Sequence, residues 1–353
     1  MKRYLAMILA VLMLLLCGAC GTKNENTSGS EPAAATPAAE TETPASDLYA
    51  PLTGEPQSED TSAARPYAVM INNIIYAQPQ VGVSKADWIY EVPAEGGITR
   101  MMAIFSDLPD VESVGSIRSL RPYYLSIALS YDAIVIHGGG SEQAYSDLTT
   151  YHADHLDGVR DDRAVSGMFY RDPSRGAHGS EHTLFFYGEK VAPLAEEYGF
   201  RLEHQADYTT GLSFSDDASA QGTGDADSVT VTFNTSKTTK FTYHADTGKY
   251  TAAQYGSDYI DGATGEVVGF SNVLVLSASM RAVDDYGRLA VELTGSGTGY
   301  LATGGTYVPI KWSRSSVNDC FTYTLEDGTP LELARGTTFA AIIPTDGGSV
   351  DFS

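Results

Sequence analysis

The chain has 353 residues, 42% of them hydrophobic, and a formal charge of −23 from 45 acidic and 22 basic side chains. So acidic a surface repels phosphate backbones and anionic headgroups, which excludes nucleic acid as a partner. Three cysteines, two of them within the first twenty residues, leave no internal disulfide, so the fold must rest on its hydrophobic core.

Residues 1–19 read as a lipoprotein signal peptide. Lys2 and Arg3 precede an apolar run from Leu5 to Leu16 that is too short to span a bilayer. The run ends in Cys17-Gly-Ala-Cys20, where small residues before a cysteine suit processing that makes Cys20 the acylated first residue. Cys17 stands where leucine is more usual, and the alternative is a signal cut elsewhere and a freely secreted protein. Two acyl chains on Cys20 would hold the protein at the extracellular face of the cell membrane. Residues 20–47, rich in Thr, Ser, Glu, Ala and Pro and without an aromatic residue, read as a disordered tether.

Residues 48–206 are expected to form an α/β domain. Tyr67–Ile71, Trp88–Val92, Met101–Phe105 and Ala133–Ile136 are short apolar runs flanked by Gly, Pro, Asn or Asp, and predict strands. Arg121–Ser130 predicts a helix with Pro122 in its first turn and Tyr124, Ile127, Ala128 and Tyr131 on one face. Ser141–Leu148 predicts a second helix capped by Ser141. Leu184–Phe200 reads as strand, helix and glycine stop. Residues 207–228, rich in Ser, Ala, Gly and Asp, read as a linker. Residues 229–353 are expected to be mostly β, from runs such as Val229–Phe233, Lys240–Tyr243, Val273–Leu276, Leu289–Leu293, Val308–Trp312 and Phe321–Leu325, with Asp246-Thr-Gly248 and Asp327-Gly328 as turns. The whole is α+β.

Polar and glycine residues concentrate between Glu91 and Ser141. His137-Gly-Gly-Gly-Ser141 lies between a predicted strand and a predicted helix, where the amides of Gly138, Gly139 and Gly140 could point at an anion. A similar run forms the oxyanion hole of some esterases, but no Gly-x-Ser-x-Gly elbow occurs to complete that chemistry. The alternative is a tight turn needing positive φ. Arg100, Arg118 and Arg121 suit carboxylate, phosphate or sugar hydroxyls, or else pair internally with Glu91, Glu95 or Asp107. Glu91 and Glu95 would share a side if the strand ran on through Pro93, and paired carboxylates can hydrolyse glycosides.

Other residues carry weaker signals. His152 and His155 stand at helical i, i+3 spacing without a third zinc ligand, and His178 and His182 flank Gly179 in an expected loop, so neither metal nor cofactor is expected. Asp258 and Asp261-Gly262 lack a calcium-loop pattern and read as a turn. Cys320 is expected in the core.

Taken in order, Pro51-Leu-Thr-Gly-Glu-Pro56, Arg65-Pro-Tyr-Ala-Val-Met-Ile-Asn-Asn73, Ala86-Asp-Trp-Ile-Tyr-Glu91, Glu95-Gly-Gly-Ile-Thr-Arg100, Ile117-Arg-Ser-Leu-Arg-Pro122 and His137-Gly-Gly-Gly-Ser-Glu-Gln-Ala144 resemble the YerB-like lipoproteins of Gram-positive bacteria. Asp261-Gly-Ala-Thr-Gly265, Gly297-Thr-Gly-Tyr300 and Lys311-Trp312 look like that family's C-terminal module. The resemblance implies an exported two-domain lipoprotein, α/β then β-rich, and brings no reaction with it. It also singles out His182 as the histidine to carry over. The chain departs from the family's pattern in having Asn72 where Asp is frequent, and Glu181-His182-Thr183 where Pro-His-Asn is expected.

The resulting expectation is an envelope protein binding an anionic or polyhydroxyl ligand (a cell-wall precursor, glycopolymer or peptide) through Arg100, Arg118 and Arg121. Glu95, His137, the 138–140 amides and Ser141 would assist. One alternative is a hydrolase or transferase acting on cell-wall glycan, with His137 or His182 as acid or base beside Glu91 or Glu95. A further alternative is a protein–protein scaffold.

Overall fold

The computed structural model describes residues 48–353; the signal peptide, Cys20 and the tether lie outside the described residues. In chain order the elements that matter here are β1 (Tyr67–Asn73), β2 (Trp88–Pro93), β3 (Thr99–Phe105), α1 (Pro122–Ser130), β4 (Ile134–His137), α2 (Glu142–Thr150) and β5 (His155–Asp157). The second half supplies β6 (Ser228–Asn234), β7 (Lys237–His244), β8 (Lys249–Gln254), β9 (Asn272–Ala278), β10 (Met280–Ala282), β11 (Leu289–Val291), β12 (Gly295–Thr303), β13 (Thr306–Arg314), β14 (Thr338–Pro344) and β15 (Ser349–Phe352). The first half is thus α/β and the second β-rich, as the sequence implies.

One eleven-stranded sheet runs through both halves. Its order is β13-β12-β9-β14-β2-β3-β1-β4-β5, with Gly224–Asp225 and Thr322–Leu325 also paired to β13. The junction is β14, whose residues pair in parallel with β9 on one side and with β2 on the other, Trp88 opposite Thr338 and Glu91 opposite Ala341. Segment 207–228 is therefore built into the fold rather than left as a free linker: Ser213–Ser215 pairs with Glu332–Ala334, and Gly224–Asp225 with β13. A six-stranded sheet containing β8-β7-β6-β15 covers one face of the large sheet. Helices α1 and α2 cover the other.

Because both faces are covered, β1, β2 and β3 are buried at every position, which is why they read as continuous apolar runs. Alternation sorts their side chains: Val69, Ile71, Ile89 and Met101 face the second sheet, while Ala68, Met70, Tyr90 and Met102 face α1. Helix α1 begins at Pro122, whose missing N–H costs nothing in a first turn, and it buries Tyr124, Ile127 and Ala128.

Interior side chains staple the halves together. Asp261, fully buried, accepts from Gly82 N (2.9 Å), Ser84 N (2.8 Å) and Ser84 Oγ (2.6 Å), so this turn is an anchor on the first half as well. Cys320 is half-buried rather than in the core. Its Sγ lies 2.9 Å from Ser130 O, and burial pushes the thiol up, away from reactivity.

Candidate functional site

β1 and β4 run parallel, and the crevice beyond the carboxyl ends of parallel strands is where open α/β sheets offer room for a ligand. Ser116–Leu120 crosses that crevice. Asn72 N donates to Ser116 O (2.9 Å), Arg118 N to Met70 O (3.0 Å), Gly138 N to Arg118 O (3.0 Å) and Leu120 N to Gly139 O (2.9 Å). This crossing brings the polar ends of β1 and β3, the arginine-rich segment and the glycine run together.

The glycine run is structural. Gly138 N is taken by Arg118 O, and Gly139 N donates to Asp157 Oδ1 (2.8 Å), so these amides do not face a ligand. Gly139 has φ +76°, the left-handed turn that glycine permits. Gly140 bridges to Leu120, and Ser141 caps α2 by accepting from Ala144 N (3.2 Å). His137 has no exposed surface. Its Nδ1–H donates to Gly139 O (2.8 Å), and its Nε2 accepts from His155 Nδ1 (3.0 Å). Desolvation lowers its pKa to about 4 despite the pull of Asp157, which keeps it neutral. His137 is therefore not a ligand contact. His155 lies in β5 and His152 at φ +51° before it, so their expected helical spacing does not arise, and no group of three or more metal-ligating side chains occurs among the described residues.

The carboxylates separate. Thr99 and Arg100 are neighbours on β3 and point to opposite faces, and each holds one glutamate. Glu91, fully buried, accepts from Thr99 Oγ1 (2.6 Å), Asn73 Nδ2 (2.9 Å) and Thr239 Oγ1 (2.7 Å) and pairs with Lys237 Nζ at 2.9 Å. Glu95 leaves the strand in a turn through Gly96 (φ +78°) and meets Arg100 Nη2 at 2.6 Å and Arg121 on the helical side. The strand ends at Pro93, so the condition for a same-side pair is not met, and Glu91 and His137 are both sealed from solvent and cannot share an open cleft with Glu95 and His182.

The three arginines divide into two roles. Arg100 and Arg121 are buried and clamp Glu95, and each also donates to backbone carbonyls, Arg100 to Ser119 O (2.7 Å) and Arg121 to Leu120 O (2.8 Å). Burial opposes ionisation of Glu95, but Arg121 and Arg100 outweigh it and hold its carboxyl below the usual range. Arg118 is half-buried and, among the described residues, has no ion pair and no side-chain hydrogen bond; its Nε is buried without a partner. Desolvation acts against its charge and Arg121 adds to the strain, with Glu181 the main relief. Glu95 among the three guanidiniums, with Glu181 acting on Arg118 from farther off, leaves the cluster positive in an acidic protein.

His182 and Asn72 complete the constellation. Asn72 Nδ2 donates to His182 Nδ1 (2.9 Å) and Ser116 Oγ (3.3 Å), while Asn72 Oδ1 is buried and unpartnered. Burial, and secondarily the Arg118 charge, keep His182 neutral by lowering its pKa. Tyr76, 50% exposed, stacks on His178 at 4.0 Å and meets the His182 ring edge-on at 6.2 Å. Tyr286, in the turn between β10 and β11, is 68% exposed. The sequence reading names Asn72 only as a departure and misses Ser116 and Tyr76. The signal available was a polar Asn72-Asn73 pair closing a strand otherwise buried and apolar.

Beside the cluster a groove of about 560 Å³ separates α1 and α2 from the β10–β11 hairpin, and Arg121, Ser141 and Glu142 lie on its helical wall.

Comparison with known proteins places both halves. Residues 52–201 match the "Protein of unknown function (DUF3048) N-terminal domain" and residues 229–340 the corresponding C-terminal domain. The chain is 33% identical over 305 residues to the "Putative lipoprotein YerB" of Bacillus subtilis (strain 168), covering 85% of this chain and 87% of that protein. The crystal structure of the YerB protein from Bacillus subtilis superposes with a TM-score of 0.74 at 29% identity, covering 86% of this chain and 99% of that one.

Proposed function

The chain belongs to the DUF3048 family and is similar to the YerB lipoprotein over 85% of its length, and we propose that it captures an anionic envelope ligand at Arg118. The protein is held at the extracellular face of the cell membrane by lipid on Cys20; the cysteine after the apolar run and the relative's name support this reading. The observation that carries the binding role is a half-buried guanidinium without an acceptor, near a histidine that accepts from Asn72 Nδ2, while the Oδ1 of the same carboxamide is buried without a donor. Buried polar groups are ordinarily paired, so unmatched ones of opposite kind describe the ligand they lack. That ligand offers an anionic oxygen to Arg118 and an O–H or N–H to Asn72. Acidic sugars, sugar phosphates and peptide carboxylates all meet this description. Tyr76 supplies a flat, exposed surface beside it.

Binding is favoured over proton transfer by Asn72. Burial outweighs the Glu181 carboxylate 4.0 Å from His182 Nε2, and the Asn72 carboxamide at Nδ1 adds no charge to support an imidazolium. His182 therefore stays neutral and acts as a hydrogen-bonding wall. Calorimetric titration of inorganic phosphate and of N-acetylmuramic acid into wild type, Arg118→Ala and Arg118→Lys tests the reading. Loss of a charged hydrogen bond should weaken binding about tenfold or more in Arg118→Ala. Lysine should recover part of it. Equal binding by Arg118→Ala with an unchanged melting temperature would sink the assignment.

A further inference from the structure

The groove beside α1 has a wall of a different kind: an unpaired strand edge. In the β10–β11 hairpin, Glu292 N donates to Ser279 O (2.9 Å) and Val283 N to Arg288 O (2.8 Å). The register pairs Met280 with Val291, Arg281 with Ala290 and Ala282 with Leu289. Antiparallel ladders alternate bonded and non-bonded pairs, so Arg281–Ala290 is bonded inward while Leu289 and Val291 turn their N–H and C=O groups away from β10. Among the described residues nothing bonds to those four groups. The groove is lined by residues 288–294 and, across from them, by α1 and α2, but not by β10, so the free edge of β11 faces into it.

We infer that this groove takes an extended, basic peptide as a third strand on β11. Strand addition draws its affinity from main-chain bonds, which Leu289 and Val291 offer, and its selectivity from alternate side chains. The charge of the walls names those side chains. Arg121 is committed to Glu95 and Arg288 to Asp284 (2.8 Å), while among the described residues Glu142 and Glu292 have no ion pair and Asp147 meets only Gln143 (2.7 Å). Three carboxylates without a cation suit lysine or arginine on the incoming strand, and Leu289, Val291 and Val317 supply apolar contact between them. This inference does not rest on the anion site, which meets the groove only at Arg121.

The probe is a fluorescent peptide of alternating valine and lysine, read by anisotropy and by amide hydrogen exchange. Comparison peptides carry N-methyl groups on alternate residues, or glutamate in place of lysine. Wild type should bind the valine–lysine peptide and protect the Leu289 and Val291 amides. Val291→Pro deletes an outward N–H without touching the hairpin ladder, so it should weaken binding about tenfold or more. N-methylation should do the same, glutamate should weaken binding further, and Arg118→Ala should leave it unchanged. The inference fails if wild type binds no peptide, or if the N-methylated peptide binds equally. It also fails if Leu289 and Val291 gain no protection, an outcome read in wild type whether or not Val291→Pro folds. Sedimentation showing that β11 pairs with a second copy would equally overturn it.

Discussion

A histidine facing a carboxamide and one facing a carboxylate differ in what they do with a proton. His182 accepts from Asn72 at Nδ1 and is neutral, its pKa lowered by burial and by Arg118 against the pull of Glu181, 4.0 Å from Nε2. With the folded value below the unfolded one, His182 contributes stability above the unfolded value near 6.5, and that contribution is lost as pH falls. Asn72→Asp places an anion at the same nitrogen, which favours the imidazolium and should raise the His182 midpoint by about one unit or more. If the raised midpoint passes the unfolded value the sign reverses, and the contribution is lost as pH rises. NMR titration of the imidazole reads the shift, and an unmoved midpoint would mean that Asn72 does not control this ring. At this scale the sequence shows residue types and not allegiances. Arg100, Arg118 and Arg121 are visible as a group. Which two of them Glu95 occupies depends on the turn at Gly96, and that turn also separates Glu95 from Glu91.

Elements were legible where both faces are buried or one helix face is apolar. The expected strands at Tyr67, Trp88, Met101 and Ala133 and the helices at Pro122 and Ser141 all occur within a few residues of their expected bounds. β12 was not legible because its glycines hide it. At Gly297 a Cβ would come within 2.5 Å of Trp312 Nε1, and at Gly299 within 2.2 Å of Val275 O, so packing demands residues that look like loop. Nor could local pattern show that Lys237 on β7 serves Glu91 on β2. That pair is buried on both sides, and Lys237 Nζ also donates to Gln254 Oε1 (2.7 Å) and Thr239 Oγ1 (2.9 Å). Removing one partner strands the other charge, so Lys237→Met should cost about 3–5 kcal/mol in chemical denaturation. Adding Glu91→Gln should restore part of that loss. A cost under about 1 kcal/mol would show that the pair does not hold the sheets together.

Across the whole molecule, two sequence modules share one sheet. The composition shift near residue 207 marks a real change from α/β to β-rich, but parallel pairing of β2 with β14 spans some 250 residues and leaves no trace in any local window. Residues 48–206 alone would expose the edge of β2 along Trp88–Glu91, an apolar strand of the kind that aggregates. That fragment should therefore be insoluble or self-associated by gel filtration, and co-expression with residues 207–353 should rescue it. A monomeric, cooperatively melting fragment would refute the shared-sheet account. The same architecture positions the proposed anion site, since Arg118, bonded through its N–H to Met70 O, and Asn72 sit at the carboxyl end of β1. The most direct test of that site is the Nε–H resonance of Arg118 during titration with inorganic phosphate or N-acetylmuramic acid. The account predicts that it shifts in step with binding while the Arg121 resonance, tied to Glu95, stays in place. A probe that binds without moving Arg118, or fails to bind at all, would contradict it.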